Sequence, residues 1–170
     1  MSATISTRLH TRWLPALVSG QPHEVIGDLD APYLKRWHLI PPNRHLNIYL
    51  HHFCRSDDPG ALHDHPWDFV SILLAGRYLE VTDTAATVRT PGSLAMRRAE
   101  HRHRIRLFTD GHGTPQRCWS LVITGARRRQ WGFWCPTAVG TRRFVPWQLY
   151  GSPPPPRRRL HQHAELKDRP

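Results

Sequence analysis

The sequence lacks the features of a membrane, secreted or disulfide-rich protein. Its three cysteines, Cys54, Cys118 and Cys135, are an odd number without CxxC spacing, which argues against a disulfide framework and against a thiolate zinc site. No run of about 18 apolar residues is present, so we expect no membrane span. Charged residues interrupt the N-terminus, which therefore lacks the apolar core of a secretory signal. From these absences we predict a cytoplasmic protein.

Lysine is nearly absent as well, with only Lys35 and Lys167, yet the chain is strongly basic because it is rich in arginine. The formal net charge is +11 at pH 7, which first suggests a nucleic acid or another polyanion as partner. The chain has no recognised nucleic-acid-binding motif, so we rank that interpretation last. It also has no GxSxG, P-loop or GxGxxG motif, so acyl transfer and nucleotide-driven chemistry have no support.

Length and composition favour a single all-β domain. The 170 residues suit one hydrophobic core, and 16 prolines with 11 glycines favour many turns and short strands. Roughly eight to ten short strands at regular spacing predict a small antiparallel β-barrel or jelly roll. We expect a cover segment with a short helix over residues 1–30, the barrel over residues 31–152, and a disordered tail rich in Pro and Arg over residues 153–170.

Period-two alternation predicts which side chains of two strands share a face. In residues 46–55 one face carries Ile48, Leu50, His52 and Cys54. Residues 93–107 would form one strand whose charged face is solvated and whose other face points inward. The inward set comprises Arg97, Ala99, His101, His103, Ile105 and Leu107.

Two histidines separated by one residue, His63 and His65, predict a metal site. On an extended strand both imidazoles leave the same face and can chelate one ion. Imidazole is the preferred neutral ligand of iron, nickel, copper and zinc. The inward-facing His103 is available as a third ligand from a later strand. Because the chain contains 13 histidines, such a pair can also arise by chance, and the prediction depends on its setting.

That setting resembles the cupin superfamily. The segment GALHDHPWDFVSILLAG, residues 60–76, is similar to the first cupin motif, with His63 and His65 at its paired histidines. Gly92 and His103 stand at the spacing of the Gly and the His that bound the second motif. The resemblance implies a β-barrel with one divalent metal bound by these three histidines. Cupins are often dimers, so a homodimer is an open alternative.

The sequence departs from the cupin pattern at the position of a further ligand. The first motif normally supplies a Glu, and that position falls at Phe69 or Val70, neither of which can bind a metal. Asp68 would replace the Glu only if a bulge re-aims the strand. Without a carboxylate the site resembles the three-histidine site of cysteine dioxygenase-type cupins.

A neutral three-histidine site leaves the bound metal its full charge, which suits a small anionic substrate that chelates it. By this resemblance we expect an O2-dependent oxygenase with Fe(II), with nickel, manganese or zinc as alternative metals. Arg97 would bind the anionic group of the substrate, and His52 or His101 would relay a proton. Two other functions stay open: a metal-dependent or metal-free isomerase or epimerase, and a non-catalytic cupin that binds a small ligand or acts in regulation.

Overall fold

The computed structural model describes residues 6–8 and 12–151, and this part of the chain is built mainly of β-strands. It contains one short α-helix, α1 (Trp13–Val18), and one 3₁₀ helix (Trp147–Leu149). The strands are β1 (Ser6–Arg8), β2 (Glu24–Gly27), β3 (Pro32–His38), β4 (Asn47–Phe53), β5 (Leu62–His63), β6 (Phe69–Ala75), β7 (Tyr78–Val81), β8 (Ala86–Arg89), β9 (Leu94–Arg97), β10 (Arg104–Leu107), β11 (Cys118–Thr124), β12 (Gly132–Pro136) and β13 (Arg142–Pro146).

The strands form three antiparallel sheets. A seven-stranded sheet has the order β1-β2-β3-β4-β11-β6-β9, and two three-stranded sheets have the orders β10-β7-β8 and β13-β12-β5. A buried apolar cluster contains side chains of both the seven-stranded sheet and the β10-β7-β8 sheet, so the core lies between these two sheets. Its members are Ile26, Leu34, Phe53, Leu73, Tyr78, Ile105, Leu107 and Cys118. The predicted all-β antiparallel architecture is confirmed.

The N-terminal region contributes more than the predicted short helix. Helix α1 is present and is held on β3 by a hydrogen bond from Trp13 Nε1 to the carbonyl oxygen of His38 (2.7 Å). Strands β1 and β2, which the sequence did not predict, add to the edge of the seven-stranded sheet. The predicted tail over residues 153–170 lies outside the described residues. No helix in the described ranges has the length and the apolar character that crossing a membrane requires.

In β4 the buried face is not the one that carries Ile48, Leu50 and His52. The buried side chains are those of Asn47, Tyr49, His51 and Phe53, whereas His52 stacks on Trp119 with 4.1 Å between ring centroids. The placement expected for His52 beside the metal did not foresee this, because both faces of the strand mix apolar and polar side chains. Alternation then separates two faces without saying which of them is buried.

Residues 93–107 do not form the single strand that was predicted. The chain leaves the seven-stranded sheet after β9 and enters the β10-β7-β8 sheet at β10, so the intervening residues form a loop. The predicted inward set is nevertheless largely buried: Ala99, His103, Ile105 and Leu107 are buried, and Arg97 and His101 are half-buried. The crossing therefore places His103 between two sheets, opposite β5.

Candidate metal centre

His63, His65 and His103 lie together inside the barrel. The backbone N–H of His63 donates to the carbonyl oxygen of His103 (2.8 Å), and the N–H of His103 donates to the carbonyl oxygen of His63 (3.0 Å). This two-way bridge fixes two segments that are far apart in sequence. The possible ligand nitrogens of the three rings lie within 4.8 Å of one another, and Nε2 of His65 is 2.9 Å from Nε2 of His103. The predicted convergence is therefore confirmed.

Burial makes two of these rings neutral at physiological pH. It lowers the pKa of His63 to about 4, against the opposing effect of the Asp57 carboxylate. Burial also lowers the pKa of His65 well below its ordinary value, and the neighbouring His63 and His103 add to this effect. A neutral imidazole keeps one nitrogen lone pair free, which is the form that binds a metal.

Each ring is also oriented by a neighbouring side chain. His103 donates from Nδ1 to Oε1 of Glu80 (3.0 Å), because the carboxylate can only accept. Nδ1 of His63 lies 3.6 Å from Oδ2 of Asp57. The ring of His65 stacks on that of Trp67, with 5.1 Å between centroids and 15° between planes. The donor set, three oriented imidazoles of which His63 and His65 are neutral, fits one divalent transition metal.

Glu80 belongs to a second group with metal-ligand character, formed with His101 and His103. Two arginines already occupy its carboxylate: Arg89 donates to Oε2 from Nη2 (2.6 Å), and Arg97 donates to Oε2 from Nη2 (2.8 Å). The group is therefore crowded with positive charge. Of the two groups, the three histidines are the better cation site.

The structure places the other predicted site residues as follows. Arg97 lies near the cluster, but its hydrogen bonds go to Glu80 and to the carbonyl oxygen of Met96, which leaves little capacity for a substrate anion. Nε2 of His101 is 3.5 Å from Oε1 of Glu80 and makes no hydrogen bond among the described residues. His52 lies on the opposite face of β4 and is not brought to the cluster. The catalytic and substrate roles of these three residues stay predictions.

The two aspartates near the histidine pair have structural roles. Asp68 is not a replacement for the missing Glu, because it is exposed and pairs with Arg128 (2.7 Å). Asp68 precedes β6, whose register shift lies at the far end of the strand, between Leu73 and Ala75, and so does not re-aim this carboxylate. Asp64 is fully buried and accepts hydrogen bonds from Gly132 N, Trp134 Nε1 and Arg129 Nη1 at 2.9, 2.9 and 2.7 Å. It therefore braces the segment between the two ligand histidines against β12.

A row of polar side chains that the sequence did not reveal crosses the inner face of the seven-stranded sheet. The strand register pairs Glu24 with Arg36, Arg36 with His51 and His51 with Ser120. Arg36 donates from Nε to Nε2 of His51 (2.9 Å) and from Nη1 to Oε2 of Glu24 (3.0 Å). Because a guanidinium only donates, the ring proton of neutral His51 lies on Nδ1. The pKa of His65 is lowered mainly by burial, then by His63 and His103, and to a smaller extent by His51 and Arg36. The charges of the row therefore act on the histidine cluster.

Weak sequence signals for two of the missed residues exist. Arg36 alternates with Leu34 and His38, which predicts a shared inner face once one of them is known to be buried. Glu80 is a lone acid that alternates with Tyr78 in an otherwise apolar strand. Such a residue is buried only when it is paired, so its partners had to be known first.

No family model and no curated protein sequence matches the chain. Among solved structures, the polyketide cyclase RemF from Streptomyces resistomycificus is 16% identical, with 69% of this chain and 76% of RemF covered and a TM-score of 0.50. A cupin superfamily protein from Desulfitobacterium hafniense is 18% identical, with 55% of this chain and 77% of that chain covered and a TM-score of 0.43. A cupin-2 domain protein from Shewanella frigidimarina is 13% identical, with 54% and 79% covered and a TM-score of 0.42.

These likenesses concern the fold and assign no reaction to this chain. The architecture agrees with what the two sequence motifs imply, since the strands form antiparallel sheets and the motif histidines converge. The chain has the fold of the cupin superfamily.

Proposed function

We propose that this protein binds one divalent transition metal through His63, His65 and His103 and uses it for the O2-dependent oxidation of a small anionic substrate. The observation that carries the proposal is the convergence of three imidazoles, with their possible ligand nitrogens within 4.8 Å. Two ligands bound at right angles through bonds of about 2.1 Å lie about 3 Å apart. The 2.9 Å between His65 and His103 agrees with that spacing.

The nature of the ligand set supports redox chemistry with an anionic substrate. When bound, an iron(II) ion with three protein ligands would supply open coordination positions and redox capacity. No carboxylate belongs to the three-histidine group, so no direct protein ligand would neutralise the charge of the ion. An anionic substrate would supply the missing negative charge, which is the electrostatic reason to expect one.

The polar row beside the cluster gives the substrate hydrogen-bonding groups. Ser120 Oγ is buried and has no hydrogen-bond partner among the described residues. His51, paired with it across two strands, holds its ring proton on Nδ1 because Arg36 occupies Nε2. A buried hydroxyl without a partner is costly unless a ligand or water satisfies it. We assign these two groups to binding the polar end of the substrate.

Metal binding is tested first, by anaerobic titration of the metal-free protein with Co(II), a spectroscopic probe. We expect one ion per chain in wild-type protein and loss of that binding in His63→Ala and in His103→Ala. His112→Ala is the matched control, because His112 is an exposed loop residue away from the cluster. Binding that survives in both ligand variants, or no binding in wild-type protein, would contradict the proposed site.

Oxygen chemistry is tested next, with Fe(II)-loaded protein in an oxygen electrode. A panel of small thiols and small carboxylates is offered, and we expect one class to give O2 consumption that requires both the metal and His63. Ser120→Ala should raise the KM for that class more than it lowers kcat. If the native metal is zinc and iron-loaded protein consumes no O2 with any member of the panel, the oxygenase part is refuted, and the isomerase alternative gains support.

A further inference from the structure

We propose that Glu80 is a positioning residue, which holds His103 in the tautomer whose Nε2 lone pair faces the metal. This role rests on the proposed function, since it presumes that His103 is a ligand. Glu80 lies on β7, in a different sheet from β5, which carries His63. The metal centre would therefore depend on two of the three sheets, because a side chain on one of them orients a ligand that is bridged to the other.

The contacts of Glu80 leave one arrangement of protons. Its carboxylate is 4% exposed and accepts from Nδ1 of His103 at 3.0 Å. Arg89 and Arg97 also donate hydrogen bonds to this carboxylate, so it is paired with two permanent cations. The group is therefore an anion and can only accept. A neutral imidazole has one ring proton, so a proton on Nδ1 leaves Nε2 as a free lone pair.

The opposite edge of the ring agrees with this assignment. Nε2 of His103 lies 2.9 Å from Nε2 of His65. Two lone pairs would repel at this distance, so a proton or a metal ion must lie between the two nitrogens. In the neutral tautomer that we propose for His103 the ring proton lies on Nδ1, so the hydrogen between the two nitrogens belongs to His65 in the metal-free protein. A metal ion would take its place, and binding would leave the hydrogen bond between His103 and Glu80 intact.

The two arginines explain why Glu80 orients a ligand rather than binding the ion itself. Arg89 donates to Oε2 from Nε (2.9 Å) and Nη2 (2.6 Å), and Arg97 donates from Nη2 to Oε2 (2.8 Å) and from Nε to Oε1 (3.2 Å). Oε1 receives His103 as well. A third cation at this carboxylate would meet two guanidinium charges at close range. The hydrogen bonds from the two arginines thus hold the carboxylate in place and keep it directed at Nδ1 of His103.

The first measurement needs no variant at position 80. Long-range proton–nitrogen correlation spectra of ¹⁵N-histidine-labelled, metal-free protein at neutral pH report which ring nitrogen carries the proton, and the spectrum of His103→Gln identifies the His103 signals. We expect protonated Nδ1 and unprotonated Nε2 for His103. A proton on Nε2 would overturn the positioning role, whatever the protein binds.

The second measurement compares two carboxylate-to-amide variants, Glu80→Gln and Asp83→Asn. Asp83 is 42% exposed and pairs with Arg102 and Arg142 rather than with any of the three histidines. We expect Glu80→Gln to weaken Zn(II) binding by about 10- to 100-fold, as is usual for the partner of a ligand histidine, and to increase the Nε2-protonated fraction of His103. Asp83→Asn should change neither quantity.

The two proposals fail in different ways. Wild-type protein that binds no Zn(II) would refute the proposed function and, with it, the positioning role. Wild-type protein that binds Zn(II), together with Glu80→Gln protein that is folded by circular dichroism and binds it equally well, would refute the positioning role alone. If Glu80→Gln does not fold, the tautomer of wild-type His103 decides the question.

Discussion

Asp64 should be among the most costly residues to alter, although it does not touch the proposed metal. It is fully buried and accepts three hydrogen bonds, one of them from the Arg129 guanidinium at 2.7 Å. Asp64→Asn keeps the shape but removes the charge and places an NH2 group against donors. Removing one partner of a buried charged pair costs about 3–5 kcal/mol. Because Arg129 is 25% exposed and can turn towards water, we take the lower end, about 3 kcal/mol.

That loss is a large part of the total free energy of unfolding of a domain, about 5–15 kcal/mol. For a chain of this size it corresponds to a fall in Tm of about 6–12 °C. The assay is thermal and urea unfolding followed by circular dichroism at neutral pH. We also expect weaker Co(II) binding, because Asp64 stands between His63 and His65 and ties them to β12.

Asp68→Asn is the matched control, four residues along the same segment. Its carboxylate is 44% exposed and its partner Arg128 is 42% exposed, so solvent screens the pair. We expect its Tm to stay close to that of wild-type protein. Equal Tm values for Asp64→Asn and Asp68→Asn would refute the reasoning that the buried hydrogen bonds of Asp64 brace the ligand segment.

Three further predictions concern other parts of the molecule. In urea unfolding, Gly76→Ala should lower the free energy of unfolding by more than about 3 kcal/mol, because φ is +78° and an added Cβ would lie 2.6 Å from the Arg117 carbonyl oxygen. Gly92→Ala is the matched control: φ is +85° but the surrounding space is open, so the loss should be only about 1 kcal/mol. Burial, and then Arg36, lowers the pKa of His51, so on acidification below about pH 6.5 only the unfolded chain takes up a proton at this residue, and the folded state loses stability. His51→Gln should therefore reduce the slope of unfolding free energy against pH in this range by up to about 1.4 kcal/mol per pH unit. An unchanged slope would contradict this. Co(II) at about 100 times its Kd should stabilise wild-type protein by about 2.7 kcal/mol and leave His63→Ala unchanged, and equal stabilisation of both would be evidence against the site.

The convergence of the three histidines could be predicted because its sequence signals are local. His63 and His65 are two residues apart, so their shared face follows from strand geometry alone. The inward position of His103 was predicted from the alternation of residues 93–107. These residues do not form one strand, but the side chains predicted to face inward are largely buried. What matters for the site is which side chains turn inward, and the loop between β9 and β10 preserves that pattern.

The surroundings of the site could not be predicted, because they depend on contacts between distant strands. His52 was expected to relay a proton at the site and His51 was overlooked, since both faces of β4 mix apolar and polar side chains. Arg97 looked like a free inward cation, yet it is neutralised by Glu80, 17 residues away along the chain. Which face of a strand is buried, and which charged side chains pair, depends on how distant strands are placed against one another. Alternation within one strand does not specify this.

The central claim is that three imidazoles share one ion, and anomalous diffraction from crystals soaked in Co(II) tests it most directly. We predict one anomalous peak per chain, about 2.1 Å from a nitrogen of each of His63, His65 and His103. A peak between Glu80, His101 and His103 instead, or no peak near His63 and His65, would contradict the account.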